Sequence, residues 1–288
     1  MNIRFAKYHG TGNDFLIVHE SALEGIDPVD LAPAACARTT GVGADGLLIC
    51  REEPLTMEII NSDGSRAPMC GNGIRCFASY CLEKGLVSSD IFPIQTNAGE
   101  MIAAILKKDP FLCEIDMGRP DWSPAAAGIP DAEGEDFADE RIRLPDGRRI
   151  FVSSLLMGTY HTVVWLDQDE NVEAGAPDLG DEKALEIFGR MIHDLPIFTR
   201  QTNVNMAVIT GKDEITLRTF ERGAGMTAAC GTGACATAAL ARRQGKTGNK
   251  VTVKLPLGVL IIRVEKDETV YMAGPAVRVA EGTYELSS

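Results

Sequence analysis

Cys70-Gly71-Asn72-Gly73 recurs 160 positions later as Cys230-Gly231-Thr232-Gly233, and the recurrence extends outward from both tetrads. Downstream, each leads into a helical pattern, residues 74–84 and 234–244, ended 15 residues past its cysteine by Gly85 or Gly245. Glycine suits the left-handed C-terminal cap. Upstream, a short apolar strand ends at Asn61 in one segment and at Glu221 in the other, nine residues before the cysteine. One strand, loop and helix module therefore occurs twice, and a chain of 288 residues is long enough for two domains, one around each module.

A thiol on the first turn of a helix faces unpaired backbone N–H groups and the positive end of the helix dipole, so its pKa is expected to fall. The glycines after each cysteine let a ligand approach those N–H groups, and an amino-acid carboxylate is an anion of the right size. The tetrads are not nucleotide loops. No Gly-x-Gly-x-x-Gly follows a first strand with an acidic residue about 20 positions on, and no Gly-Lys-Ser/Thr closes either loop. A single such cysteine reads as a small buried packing residue. Two in matched modules read as a pair of reactive thiols aimed at one carbon. Cys76 and Cys235 lie within the helices and are assigned to packing.

Composition narrows the partners. A net charge of −13 and the absence of a basic stripe argue against nucleic acid, leaving small molecules. No apolar run approaches the ~18 residues of a membrane span, and residues 1–13 lack the apolar core of a secretory signal, so a cytoplasmic protein is expected. Eight cysteines are too few for a disulfide scaffold. Neither Cys70 with Cys76 nor Cys230 with Cys235 has zinc-like spacing, so no metal is expected. The acidic stretches 131–140 and 167–182 match no calcium loop and read as solvated surface.

Runs rich in β-branched and apolar residues predict strands at 15–18, 46–49, 57–60, 101–106 and 113–117, then at 150–153, 162–166, 205–209, 214–220, 251–255 and 259–264. Pro, Ala, Gly and acidic residues from 122 to about 140 predict a connection between halves. Residues 181–193 place Leu185, Phe188 and Ile192 on one apolar stripe, a scaffold helix. The two glycine-ended helices are apolar or small around most of their circumference. Each is expected inside a curled sheet, with its cysteine at the open end. His161 precedes one strand; a lone histidine is usually structural. Glu221 ends a strand close enough to Cys230 to assist proton traffic, and Arg222 beside it could hold a carboxylate by a bidentate contact.

Several motifs in one order carry a family resemblance: His9-Gly10-Thr11-Gly12-Asn13-Asp14-Phe15, Gly43-Ala44-Asp45-Gly46, Asn61-Ser62-Asp63-Gly64, Met69 through Cys76, and Glu221-Arg222-Gly223-Ala224-Gly225 through Cys235. The chain resembles the diaminopimelate epimerases almost end to end. The resemblance implies an α/β (α+β) fold of two pseudo-symmetric domains, each a mainly antiparallel β-barrel-like sheet wrapped around a central helix. The first would span 1–121, completed by a C-terminal strand at 275–288, and the second 122–274. It also implies a homodimer and no cofactor. By family likeness Cys70 and Cys230 are the acid/base pair. Asn13, Asn61, Asn203 and Arg222, with the N–H groups of Gly71-Asn72 and Gly231-Thr232, hold the substrate, Glu221 lies at its edge, and His161 and Glu221 tune the thiols.

Four residues at three places depart from the family pattern. Gly158-Thr159-Tyr160-His161 stands where the family commonly has Gly-Asn-Pro-His, Met226 replaces a glutamate, and Thr39 replaces a histidine after Arg38. The expected activity is pyridoxal-phosphate-independent epimerisation of LL-diaminopimelate to the meso form, by one thiolate removing the α-proton while one thiol returns a proton on the opposite face. This is a step toward lysine and peptidoglycan precursors. The alternatives are a racemase of another amino acid such as histidine with the same machinery, and a non-catalytic amino-acid-binding protein.

Overall fold

Along Asn2–Gly10, Ala6, Tyr8 and Gly10 are buried on one face while Ile3, with Phe5, packs on the other, and this segment is the first strand. In the computed structural model, which describes residues 2–286, it begins a unit made of Met1–Asp116 with Ala273–Ser288; a second unit comprises Met117–Met272. The first unit contains strands β1 (Asn2–Gly10), β2 (Asn13–His19), β3 (Gly46–Arg51), β4 (Thr56–Asn61), β5 (Arg66–Ala67), β6 (Ile91–Thr96), β7 (Gly99–Lys108) and β8 (Phe111–Asp116), and helices α1 (Pro28–Cys36) and α2 (Gly71–Glu83). The second contains β9 (Phe137–Arg143), β10 (Arg149–Met157), β11 (Thr159–Trp165), β12 (Asn203–Gly211), β13 (Glu214–Glu221), β14 (Gly225–Thr227), β15 (Lys250–Leu255) and β16 (Gly258–Val264). Its helices are α3 (Asp169–Glu173), α4 (Glu182–His193) and α5 (Gly231–Arg243). Strand β17 (Val270–Pro275) returns the chain to the first unit, where β18 (Val277–Glu285) ends the described fold.

The pairing order is the same in both units. In the first, β18 lies antiparallel to β1, β1 antiparallel to β2, β2 parallel to β3, and β3 antiparallel to β4; β4 meets β6 in parallel, followed by the β6–β7 and β7–β8 hairpins. In the second, β9, β10, β11, β12, β13, β15 and β16 repeat that series of antiparallel and parallel contacts as far as the counterpart of the β6–β7 hairpin. The C-terminal strand β18 thus takes in the first unit the place that β9 takes in the second. Short strands β5 and β14 fold back on β4 and β13 immediately before the two cysteines.

Each sheet has a helix on either face. In the first unit, Leu47 and Ile49 face the cluster formed with Leu31, Ala32 and Ala35 of α1, while Leu48 lies 3.5 Å from the Cβ position of Gly73 at the start of α2. Helix α2 packs against β1, β2, β7, β8 and β18, and Gly71 through Cys81 are all buried. Helix α5 is likewise surrounded by β10, β11, β12, β13, β15 and β16, with no charged residue before Arg242. Helix α4 covers the outer face of the second sheet with Leu185, Phe188 and Ile192, each burial contributing about 1.5–3 kcal/mol. The Asp181 carboxylate caps it by accepting from the Ala184 N–H at 3.0 Å. Gly189 permits the close approach, since a Cβ there would lie 2.7 Å from Phe220 Cβ.

Nine of the eleven strands expected from the sequence lie within observed strands, and those at 113–117 and 162–166 run one residue past the ends of β8 and β11. The expected connection at 122–140 is shorter, because the buried Phe137 begins β9. Helices α2 and α5 start three residues before the apolar pattern: Gly71 and Gly73, poor helix formers, hide a first turn that the fold nevertheless closes, with the Ile74 N–H donating to the Cys70 carbonyl at 2.9 Å. Both helices stop at left-handed glycines, Gly85 (φ 71°) and Gly245 (φ 68°).

Candidate active site

Cys70 and Cys230 are the N-cap residues of α2 and α5, both in extended conformation. In the first unit the Cys70 sulfur accepts from the Gly73 N–H at 3.5 Å and lies 3.7 Å from Asn13 Oδ1. Asn13 Oδ1 also accepts from Asn72 Nδ2 at 3.2 Å, so Asn13, Cys70 and Asn72 form one cluster. An ionic platform beneath it fixes Asn13. Asp45 accepts from Asn13 Nδ2 at 2.7 Å, and Arg38 donates to both Asp14 and Asp45. Burial alone would raise the Asp14 carboxyl, but hydrogen bonds from Arg38 and Lys7 outweigh it and hold the group at about 2. Arg75, wholly buried in α2, donates to the Gly71 carbonyl and Asn72 Oδ1 at 2.9 Å each. Asn61 ends β4 and donates to Ser65 Oγ at 2.9 Å within the following turn; its described bonds do not reach the cysteine cluster.

In the second unit Cys230 is 4% exposed. Burial pushes its thiol well above the usual range, and the Glu221 carboxylate, by charge and by hydrogen bond, pushes it further; the Thr232 hydroxyl and Gly233 N–H pull the other way and lose. This corrects the expectation that a thiol at the helix start is acidified. The helix dipole contributes at most about 2 kcal/mol, less than the desolvation of a buried thiolate beside a carboxylate. Cys230 is therefore a thiol at neutral pH. Glu221 also accepts a short hydrogen bond from Thr227 Oγ1.

His161, fully buried, stays neutral, its ring lowered to about 3 by desolvation. Asn205 Nδ2 is 3.1 Å from its Nδ1; an amide N–H₂ only donates, so Nδ1 accepts and Nε2 carries the proton. That buried Nε2 has no hydrogen-bond partner. Asn203 pairs with His161 across β11 and β12, and its Oδ1 accepts from the Arg222 N–H at 2.8 Å. The exposed Arg222 guanidinium donates through Nη1 to the Arg200 carbonyl at 3.1 Å.

Asn205 escaped the sequence reading. Buried at the middle of β12, it accepts from Thr219 and donates to His161, and its Oδ1 lies 2.3 Å from where a Cβ on Gly233 would stand. The third residue of the second tetrad is glycine because this amide occupies the space. A polar residue amid the apolar Val204 and Met206 was the available signal. Cys76 and Cys235 are buried inside their helices, and burial raises the Cys76 thiol. Among the described residues no group of three His, Cys, Asp or Glu side chains could hold a metal, and no helix is long and apolar enough to cross a membrane.

The family described as diaminopimelate epimerase matches residues 5–123 and 153–279. A diaminopimelate epimerase of Pelotomaculum thermopropionicum is 38% identical over 291 residues, covering 98% of this chain and 99% of that protein. One from Alkaliphilus metalliredigens is 36% identical over 290 residues, covering 99% and 98%. Among solved structures, a probable proline racemase from Agrobacterium radiobacter superposes with a TM-score of 0.68 at 15% identity, over 99% of this chain and 93% of that one, a likeness of fold alone.

Proposed function

Because the chain belongs to the diaminopimelate epimerase family, we propose that it interconverts LL- and meso-2,6-diaminopimelate. The observation that carries the reading is the pair of cysteines, each the N-cap of a buried helix in units of the same strand order. The thiols of Cys70 and Cys230 serve as the two bases for one α-carbon. In one direction a thiolate takes the α-proton, the C–H electron pair passes to the carbanion, and the opposing thiol delivers its proton to the other face. Configuration inverts and the two sulfurs exchange protonation states. The reverse reaction begins from the exchanged form.

The α-hydrogen is a poor acid, so stabilisation of the developing charge must come from dipoles at the substrate carboxylate. The N–H groups of Gly71-Asn72 and Gly231-Thr232 supply it, acting where water is excluded. Asn13, Asn61, Asn203 and Arg222 orient the substrate. Glu221, next to Cys230, accepts or returns its proton, and His161 offers its Nε2–H as a neutral donor. The enzyme works without pyridoxal phosphate, acts as a homodimer in the cytoplasm, and supplies meso-diaminopimelate for lysine and peptidoglycan synthesis.

The test is a chiral assay of purified protein on LL-diaminopimelate, with and without added pyridoxal phosphate. Equal conversion in both supports the reading, whereas no conversion, or conversion only with the cofactor, defeats it. A second reading, a racemase of another amino acid, is favoured by Thr159-Tyr160, and faster turnover of histidine, glutamate or proline would establish it.

A further inference from the structure

Tyr160 stands on β11, directly across the hairpin from Leu156, two residues past Gly158 in the turn. Its ring lies under the Arg222 guanidinium, 5.6 Å from ring centre to Arg222 Cζ. Its hydroxyl accepts from Arg200 Nη1 at 3.2 Å. The carbonyl of the same Arg200 accepts from Arg222 Nη1 at 3.1 Å. The ring also closes on Gly128, where an added Cβ would lie 3.4 Å from Tyr160 Cδ1, and the Gly128 carbonyl in turn accepts from the Thr199 N–H and hydroxyl at 3.0 Å each. Tyr160 is thus wedged between two loops and joined to both arginines.

Arg222 is exposed, and an unsupported exposed arginine samples many rotamers. Here it is held at the backbone by Asn203, at Nη1 by the Arg200 carbonyl, and over one face by the tyrosine ring. Those contacts leave the Nε and Nη2 donors, which form the edge of a guanidinium that grips a carboxylate in two parallel bonds. Arg200 sets a second positive charge beside it.

We infer that Tyr160 is a positioning residue for substrate selection: ring and hydroxyl hold Arg222 and Arg200 as a pair that receives the carboxylate far from the reacting carbon, making the enzyme selective for a dicarboxylic diamino acid. This rests on the proposed activity and names the part of the substrate the arginines read.

Steady-state kinetics of the full-length Tyr160→Leu and Tyr160→Phe proteins test it, with LL-diaminopimelate and with L-lysine, the same diamino skeleton lacking the remote carboxylate. Tyr160→Leu is expected to raise KM for diaminopimelate about tenfold with kcat within about twofold, while kcat/KM for lysine stays unchanged. Tyr160→Phe keeps the stack and loses only the Arg200 bond, so KM should rise about two- to threefold. Should Tyr160→Leu fold poorly, the Phe variant alone gives the readout, since it deletes only the Arg200 bond, and an unchanged KM for diaminopimelate there would overturn the inference. A fall in kcat at unchanged KM, or equal losses on both substrates, would overturn the inference. Wild-type protein inactive on diaminopimelate would defeat the proposed activity instead, and Tyr160→Leu indistinguishable from an active wild type would defeat only this inference.

Discussion

The starts of α2 and α5 share a backbone and differ in charge. Cys70 has Asn13 and the Gly73 N–H at its sulfur, whereas Cys230 is more deeply buried and has the Glu221 carboxylate against it. A duplicated helix start offers the same dipole twice, so what distinguishes Cys230 comes from its neighbours. Desolvation and Glu221 hold Cys230 protonated, and in the proposed mechanism that thiol would be the donor. The units also differ where the sheet meets the helix start: Asn205, Thr219 and His161 hold in the second unit the register positions of the apolar Leu48, Ile59 and Phe15 in the first.

The largest effects should come from removing either thiol. Cys70→Ser and Cys230→Ser are each expected to lower kcat about 10³-fold, within the range for losing a positioned acid or base. A chiral assay in both directions checks it, and a loss of less than about tenfold in one variant would end the equivalence of the two modules.

Next comes the asymmetry. In a Cys70→Ser background, Glu221→Gln removes both the charge and the hydrogen bond that raise Cys230, so its thiol pKa should fall. The pH dependence of Cys230 alkylation, followed by mass spectrometry, should shift to lower pH. Alone, Glu221→Gln should cost about 10²-fold in kcat. An alkylation profile moving upward or not at all would show that burial alone sets the thiol.

The third glycine of each tetrad gives a smaller contrast. A methyl group at 233 would meet Asn205 Oδ1 at 2.3 Å and the Cys230 sulfur at 3.2 Å, so Gly233→Ala should destabilise by about 1–3 kcal/mol. At Gly73 the nearest atom is 3.4 Å away, an ordinary contact, and alanine's better helix propensity leaves Gly73→Ala within about 1 kcal/mol of wild type, of either sign. Denaturant unfolding of the two variants measures both. Equal costs would mean that Asn205 yields easily.

Acid should reach the two units in separate windows. His161 is lowered from 6.5 to about 3, so the unfolded chain binds its proton first, and stability falls by up to about 1.4 kcal/mol per pH unit as pH drops through that interval. Asp14, lowered from 3.8 to about 2, stabilises above 3.8 and loses that contribution as pH falls toward 2. His161→Gln should flatten the upper window and leave the lower one. Unchanged acid sensitivity in that variant would contradict the buried neutral imidazole.

Much of this was legible in the residues. The tetrads, their glycine stops and the strands before them marked both modules, because glycine and cysteine at fixed spacing report backbone conformation directly. Strands β1 and β17 went unread, since alternation in β1 with Arg4 and Lys7 resembles surface, and β18, largely exposed, was reached only through the family resemblance as the strand at 275–288. Helix α1 was hidden by Pro28 and Pro33; the first occupies a helix start, where proline is tolerated. The depth of burial at Cys230 and the role of Asn205 depend on which strands close around α5, and no local pattern encodes that.

The central claim is that two thiols share one α-carbon, one taking a proton and the other giving one. Its most direct test is epimerisation of LL-diaminopimelate in D₂O, stopped early, with deuterium at the α-carbon measured separately in product and in remaining substrate. The account predicts label in the meso product and none in the recovered LL form. Label entering both pools at the same rate would mean that a single base serves both faces.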